Sequence, residues 1–220
     1  ACLVGSEMCI RDSIRISQQV MTETAIRKIG ILGGSFNPVH VGHMMLASYI
    51  QQFTDIDKVW LTLSPRNPLK SRPNELISDL ARLDMLRIAT SQTSGIEVCD
   101  IELSMPRPNY TIDTLRLLRK RYPRNSFQLI IGSDNWRIFT QWRDYQEIID
   151  DFGVIVYPRP GYRTPTIYED NVEIIDAPEN SLSSTFIRDS IMRDKNMHYF
   201  LPEGVYDYIR AHDLYKIQKQ

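Results

Sequence analysis

His40 and His43 are the residues of this chain whose type and spacing point most directly to chemistry. Two imidazoles three positions apart share a face if both fall in one helical turn. They close the stretch Gly33-Gly34-Ser35-Phe36-Asn37-Pro38-Val39-His40-Val41-Gly42-His43. Small residues let a backbone come close to a ligand. A helix start offers free N–H groups and a positive dipole end to an anion. Together these features predict a phosphate cradle, with both imidazoles on the phosphates of a nucleoside triphosphate.

Further along, Ser181-Leu182-Ser183-Ser184-Thr185-Phe186-Ile187-Arg188 places hydroxyls at a helix start and an arginine one turn on. Such hydroxyls cap the helix or donate to a phosphate oxygen. The planar fork of Arg188 suits the same anion. Taken alone, the segment reads equally as a capped helix with a surface arginine. Ile131-Gly132-Ser133-Asp134 and Trp142-Arg143 form a third group. Asp134 fits a helix N-cap as well as a ligand contact. Trp142 fits a stacking surface or the core beneath a loop. Thr111 is a candidate N-cap whose backbone N–H could meet an anion. Arg66 and Lys70 sit in a Pro-rich loop that reads either as solvated or as anion-binding.

The elements that must position these residues are legible from periodicity. Ile29-Gly30-Ile31-Leu32 reads as a buried strand, and Met44 to Ile50 as a helix. Lys58 to Leu63 is a second strand. A helix is expected from about Asn74 to Gln92, with Asn74 as N-cap and Leu76, Leu80, Leu83 and Leu86 as its apolar stripe. Short strands follow at Gly95 to Ile101, Phe127 to Ile131, Gly153 to Tyr157 and Val172 to Ile175. Helices are expected from near Thr111 to before Pro123, over Tyr145 to Asp151, over Ser184 to Asp194, and from Pro202 to about His212. Strands alternating with helices imply an α/β, doubly wound, Rossmann-like parallel sheet with helices on both faces. Such sheets bind ligands beyond the carboxyl ends of their strands. The first loop and Gly132-Ser133-Asp134 both sit at such ends.

Composition narrows the class. Over 220 residues, 42% are hydrophobic and 24% charged, which suits a soluble globular chain. A net charge of −1 gives no electrostatic ground for nucleic-acid binding, and no apolar run approaches a membrane span. The three cysteines, Cys2, Cys9 and Cys99, have no metal-ligand spacing, and a reduced cytoplasmic setting is expected. Cys99 reads as a small core hydrophobe. Residues 1–26 have no helical or strand period and read as a disordered or artefactual extension, with Met21 the candidate native start. Residues 27–220 read as one domain. Monomer and homodimer are both open.

Gly33 to His43 resembles the His-x-Gly-His signature of the nucleotidylyltransferase superfamily, and its fuller form resembles that of nicotinate-nucleotide adenylyltransferases. Ser183-Ser184-Thr185-Phe186-Ile187-Arg188 is similar to the family's Ser-Ser-Thr-x-Ile-Arg box, with Leu182 where Ile is usual. Tyr110-Thr111-Ile112-Asp113-Thr114 is similar to its Tyr-Thr-x-Asp-Thr segment. The Pro-rich loop departs from the family's His-Lys ending, with Leu69 before Lys70. The stretch from Leu201 through Leu214-Tyr215 resembles the family's C-terminal helix, to which a packing role falls.

The resemblance implies adenylyl transfer from ATP to nicotinate mononucleotide, with Mg²⁺ carried by substrate oxygens and water rather than by a protein metal site. It implies catalytic roles for His43, His40 and Arg188. It places ATP against Gly33, Gly34, Ser35, Phe36, His40, His43, Gly132, Asp134, Ser184, Thr185 and Arg188. It places nicotinate mononucleotide against Ser35, Lys70, Thr111, Asp134, Trp142 and Arg143. A nicotinamide-nucleotide, pantetheine-phosphate or cytidylyl enzyme, or a non-catalytic ATP sensor, remains the alternative.

Overall fold

The computed structural model describes residues 26–65, 76–163 and 170–216. The N-terminal extension, apart from Ile26, lies outside them, as do Arg66, Lys70 and Asn74.

Six parallel strands form one sheet in the order β3-β2-β1-β4-β5-β6. They are β1 (Arg27–Gly34), β2 (Lys58–Leu63), β3 (Ile96–Cys99), β4 (Asn125–Gly132), β5 (Val154–Tyr157) and β6 (Val172–Ile174). The helices between and after them are α1 (Val41–Phe53), α2 (Asp79–Thr90), α3 (Thr111–Arg121), α4 (Ser133–Trp136), α5 (Tyr145–Asp151), α6 (Ser184–Met192) and α7 (Val205–Ala211). This is the doubly wound arrangement expected from the alternation. β1 pairs with β2 on one side and β4 on the other. The strand order therefore reverses at β1, and a crevice opens beyond the ends of β1 and β4.

The sheet is apolar on both faces, as helices on both sides require. Alternate side chains feed two core clusters. Ile29, Ile31, Phe127, Leu129, Ile131, Val154 and Val156 join Ile112, Leu115 and Leu118 of α3. Leu32, Val59, Leu61, Leu63, Ile130 and Ile155 join residues of α1, α2, α6 and α7. Cys99 is buried among the first group, as expected.

Two helix starts and one cap differ from expectation. α2 begins at Asp79, where the Ser78 hydroxyl accepts from Ala81 N at 3.2 Å. Leu76 thus precedes the helix, and Leu80 is 68% exposed. Leu83 and Leu86 face inward as expected, and Arg82, Met85 and Ala89 complete that face. α3 starts at Thr111 with Tyr110 as its N-cap, so Thr111 is the first helical residue and not the cap. α7 starts at Val205 and not at Pro202. Its cap is Gly204, at φ 78°, a left-handed conformation that glycine adopts readily. Among the described residues no helix is long and apolar enough to cross a membrane.

Candidate active site at the carboxyl end of the sheet

The β1 ladder runs to its last residue, with Ser64 N donating to Gly34 O at 2.9 Å. A Cβ built on Gly33 would meet nothing within 4 Å, so the strand end presents bare backbone to open space. Phe36 follows at φ 43°. Its ring is buried and meets His43 edge-on, with centroids 5.0 Å apart.

α1 begins directly after His40, whose extended backbone makes it the N-cap, and His43 is the third helical residue. The helix geometry brings the two rings together as the spacing suggested. They stack at 3.7 Å with 27° between their planes. His40 N–H donates to Nδ1 of His43 at 3.2 Å. That makes Nδ1 an acceptor, so neutral His43 carries its proton on Nε2 and is a hydrogen-bond donor there.

His40 is 5% exposed, and its Nδ1 is buried without a hydrogen-bond partner. Burial, helped by the nearby positive charge of Arg159, lowers its pKa to about 4. His40 is therefore neutral at pH 7. A neutral buried ring whose nitrogen lacks a partner is suited to a polar ligand atom. Because the folded pKa lies below the unfolded value, the unfolded chain binds the extra proton between pH 6.5 and 4. Stability from this group is complete above pH 6.5 and is lost as pH falls, by about 3 kcal/mol over the interval. Denaturant titrations across that range should give a shallower slope for His40→Asn than for the wild-type chain. Equal slopes would refute the assignment.

The second wall is α6. Ser183, not Ser184, caps it, with its Oγ accepting from Phe186 N at 3.1 Å. Ser184 is thereby released to donate to Pro38 O at 2.8 Å, 146 residues away. Arg188 Nη1 donates to Asn37 O at 2.8 Å, and Nη2 reaches Thr185 Oγ1 at 3.4 Å. The two distant motifs are thus joined directly.

Gly132 ends β4 and caps α4, so Asp134 is inside the first turn and is not the cap. A Cβ on Gly132 would fall 2.4 Å from Asp134 Oδ1 and 2.7 Å from Arg159 Cγ. Asp134 and Arg159 face each other at 3.9 Å. At the other end of the crevice Arg143 lies over the Tyr110 ring at 5.0 Å and pairs with Asp113 at 3.3 Å. Trp142 packs on Phe139, 5.3 Å between centroids, and its Nε1 is buried without a partner. Trp142 leans on the core and also lines the crevice.

All of these expected residues, Lys70 excepted, line one cleft of about 1260 Å³ that also receives Gly34, Ser35 and Thr111. Sequence reasoning missed Arg159, Asn37 and Glu102, which line it too. Glu102 is buried, accepts from Thr114 Oγ1 at 3.1 Å, and has its carboxyl pKa raised by burial. Arg159 follows β5 in a Pro-Arg-Pro run, which could have marked it as a loop cation at a strand end.

A parallel sheet carrying two stacked histidines at a helix start, faced by a serine- and arginine-bearing helix start, defines the class as a Rossmann-like nucleotidylyltransferase. A family model described as Cytidylyltransferase-like matches residues 31–190, and the chain belongs to that family. Within it, the chain belongs with the nicotinate-nucleotide adenylyltransferases. A protein of Azobacteroides pseudotrichonymphae named "Probable nicotinate-nucleotide adenylyltransferase" is 45% identical over 179 residues, covering 81% of this chain and 94% of that one. A Bacteroides fragilis protein of the same name is 42% identical over 180 residues, 81% of this chain and 89% of that one. The structure of a Plasmodium falciparum nicotinic acid mononucleotide adenylyltransferase complexed with NaAD superposes with a TM-score of 0.69, at 22% identity, covering 86% of this chain and 97% of that one. That likeness bears on the fold.

Proposed function

We propose that this protein transfers the adenylyl group of ATP to nicotinate mononucleotide, giving nicotinate adenine dinucleotide and pyrophosphate, a step of NAD biosynthesis. The observation that carries the reading is the junction of the two walls, Arg188 on Asn37 O and Ser184 on Pro38 O beside the stacked histidines. The names of the relatives support the choice of acceptor.

The chemistry asks little of the protein beyond placement and charge. A 5′-phosphate oxygen of the mononucleotide attacks the α-phosphorus. The bond from that phosphorus to the oxygen bridging to the β-phosphorus breaks, and pyrophosphate leaves with the electron pair. The nucleophile is already ionised near neutral pH, so no general base is needed. His43 Nε2–H donates to an α-phosphate oxygen where charge develops. His40 and Arg188 hold the triphosphate, with Ser184 and Thr185 at the helix start behind it. Gly33, Gly34, Ser35 and Phe36 line the nucleotide's path, and Gly132 and Asp134 border both nucleotides. Thr111 offers a helix-start N–H to the ring carboxylate, and Trp142 and Arg143 flank the ring. Lys70 remains part of the proposed acceptor site, on the resemblance alone.

The family implies a divalent ion with ATP. Among the described residues no group of three or more His, Cys, Asp or Glu side chains is placed to hold one. The groups beside the proposed triphosphate are mainly ring nitrogens, hydroxyls and a guanidinium, with Asp134 the carboxylate that borders both nucleotides. As the resemblance implies, the ion would arrive with ATP, held mainly by phosphate oxygens and water. Use of ATP and the thiol of Cys99 are consistent with a cytoplasmic setting.

The test is a panel of acceptors with pyrophosphate release as the readout. Nicotinate mononucleotide should exceed nicotinamide mononucleotide in kcat/KM by about ten- to a hundredfold, the worth of a charge-assisted hydrogen bond. Preference for the amide, or for a pantetheine phosphate, would reassign the acceptor. ATP binding with no pyrophosphate released from any acceptor would make the protein a sensor.

A further inference from the structure

Beyond α7 the chain turns back to the loop between β1 and α1. Tyr215 takes φ 61°, in the left-handed region. Its ring packs against the core cluster that includes Phe36 and Ile187, and its hydroxyl donates to Asn37 Oδ1 at 2.9 Å, across 178 residues of sequence. Burial raises the phenol's pKa, although the charges of Arg188 and Arg82 oppose the shift. The hydroxyl therefore keeps its proton and remains a donor.

Asn37 is 2% exposed. Its carbonyl accepts from Arg188 at 2.8 Å, and the next carbonyl, of Pro38, accepts from Ser184 at 2.8 Å. Two residues earlier, Ser35 O accepts from Arg82 Nη1 at 2.6 Å. The segment that delivers His40 to the cleft is thus held at Ser35, Asn37 and Pro38 by side chains from α2, α6 and the C-terminal turn. Loop backbone has no ladder of its own to fix it, so such side-chain bonds set its position. The Tyr215 bond differs from the others, because it acts on the Asn37 side chain and so can fix the orientation of the whole residue.

We infer that Tyr215 is a positioning residue: its hydroxyl orients Asn37 and so fixes both the loop bearing His40 and His43 and the carbonyl that anchors Arg188. The inference rests on reading this cleft as the triphosphate site. It revises the role expected of the C-terminal stretch, which was packing alone.

Tyr215→Phe keeps the ring and removes only the hydroxyl. The affinity for a non-hydrolysable ATP analogue, measured by calorimetry without acceptor, should fall about tenfold. In turnover, KM for ATP should rise by a similar factor and kcat should fall, while KM for nicotinate mononucleotide should rise less, since Ser35 lies on this loop but Thr111, Asp134, Trp142 and Arg143 lie on other elements. Tm should drop by no more than about 4 °C. Asn37→Ala should weaken the analogue too, and adding Tyr215→Phe to it should cost nothing further. Unchanged analogue affinity would overturn the inference, as would additive effects or an equal rise of both KM values with Tm. If the wild-type protein binds the analogue but does not turn over nicotinate mononucleotide, the proposed reaction fails, and the affinity ratio still judges Tyr215. If it does not bind the analogue, both fail.

Discussion

His43→Ala is expected to lower kcat with ATP and nicotinate mononucleotide by about a hundred- to a thousandfold, the cost of removing one preorganised donor from a transition-state charge. His43 lies in the N-terminal turn of α1. His40 N–H occupies Nδ1 of His43, and the stacked His40 ring and the edge of Phe36 hold the imidazole plane. The proton on Nε2 is therefore fixed in place before substrate arrives, and no reorganisation is needed as charge develops at the α-phosphate. The loss should appear in kcat more than in KM, because the bond strengthens as the transition state forms. His43→Gln keeps an amide donor and should recover part of the rate. Turnover of the alanine variant near the wild-type value would show that His43 does not act on the reacting phosphate.

Arg82→Leu should destabilise the protein by about 3–5 kcal/mol, read as a shift in denaturant midpoint at constant slope. Arg82 is wholly buried. Nη1 donates to Ser35 O at 2.6 Å and Ser64 O at 3.0 Å, and Nη2 to Pro65 O at 3.3 Å. Asp79 pairs with it at 2.5 Å. Leucine matches much of the volume but leaves those part-buried and buried carbonyls without this donor, which is the costly half of removing such a hydrogen bond. Arg82→Lys should recover only part of the loss, because one ammonium cannot span carbonyls from two strand ends as a planar fork does. The carbonyls belong to the segments that follow β1 and β2, at the mouth of the cleft. Variants that stay folded should therefore also bind the ATP analogue less tightly. A loss below about 1 kcal/mol would mean that the loops hold without the clamp.

The two predictions differ in how visible their residues were beforehand. His43 was evident because its environment is local: a strand, a run of small residues and a histidine pair within one turn. For the same reason β2 (Lys58–Leu63) and α5 (Tyr145–Asp151) match the expected bounds. Arg82 was not visible. A charged residue between Leu80 and Leu83 looks like the solvent face of a helix, and Leu80 looks like its core. The start of α2 at Asp79 and the carbonyls waiting inside reverse those places, leaving Leu80 68% exposed and Arg82 at 0%.

The rest of the site divides along the same line. Periodicity determined a parallel α/β sheet and the carboxyl-end location of the loops, and the residues of Gly33 to His43 and Ser183 to Arg188 carried the resemblance to a known pair of motifs. These follow from the chain's own neighbours, through strand and helix periods and the conformations small residues allow. Tertiary structure alone decided that Ser184 and Arg188 close on Pro38 and Asn37, that Arg159 meets Asp134, and that Tyr215 returns to Asn37. It also decided that His40 is buried and neutral, since its pKa is set by lost water and by an arginine 119 positions along the chain. Desolvation and contacts between distant segments have no period in the sequence, because they exist only once the sheet has brought its strand ends together.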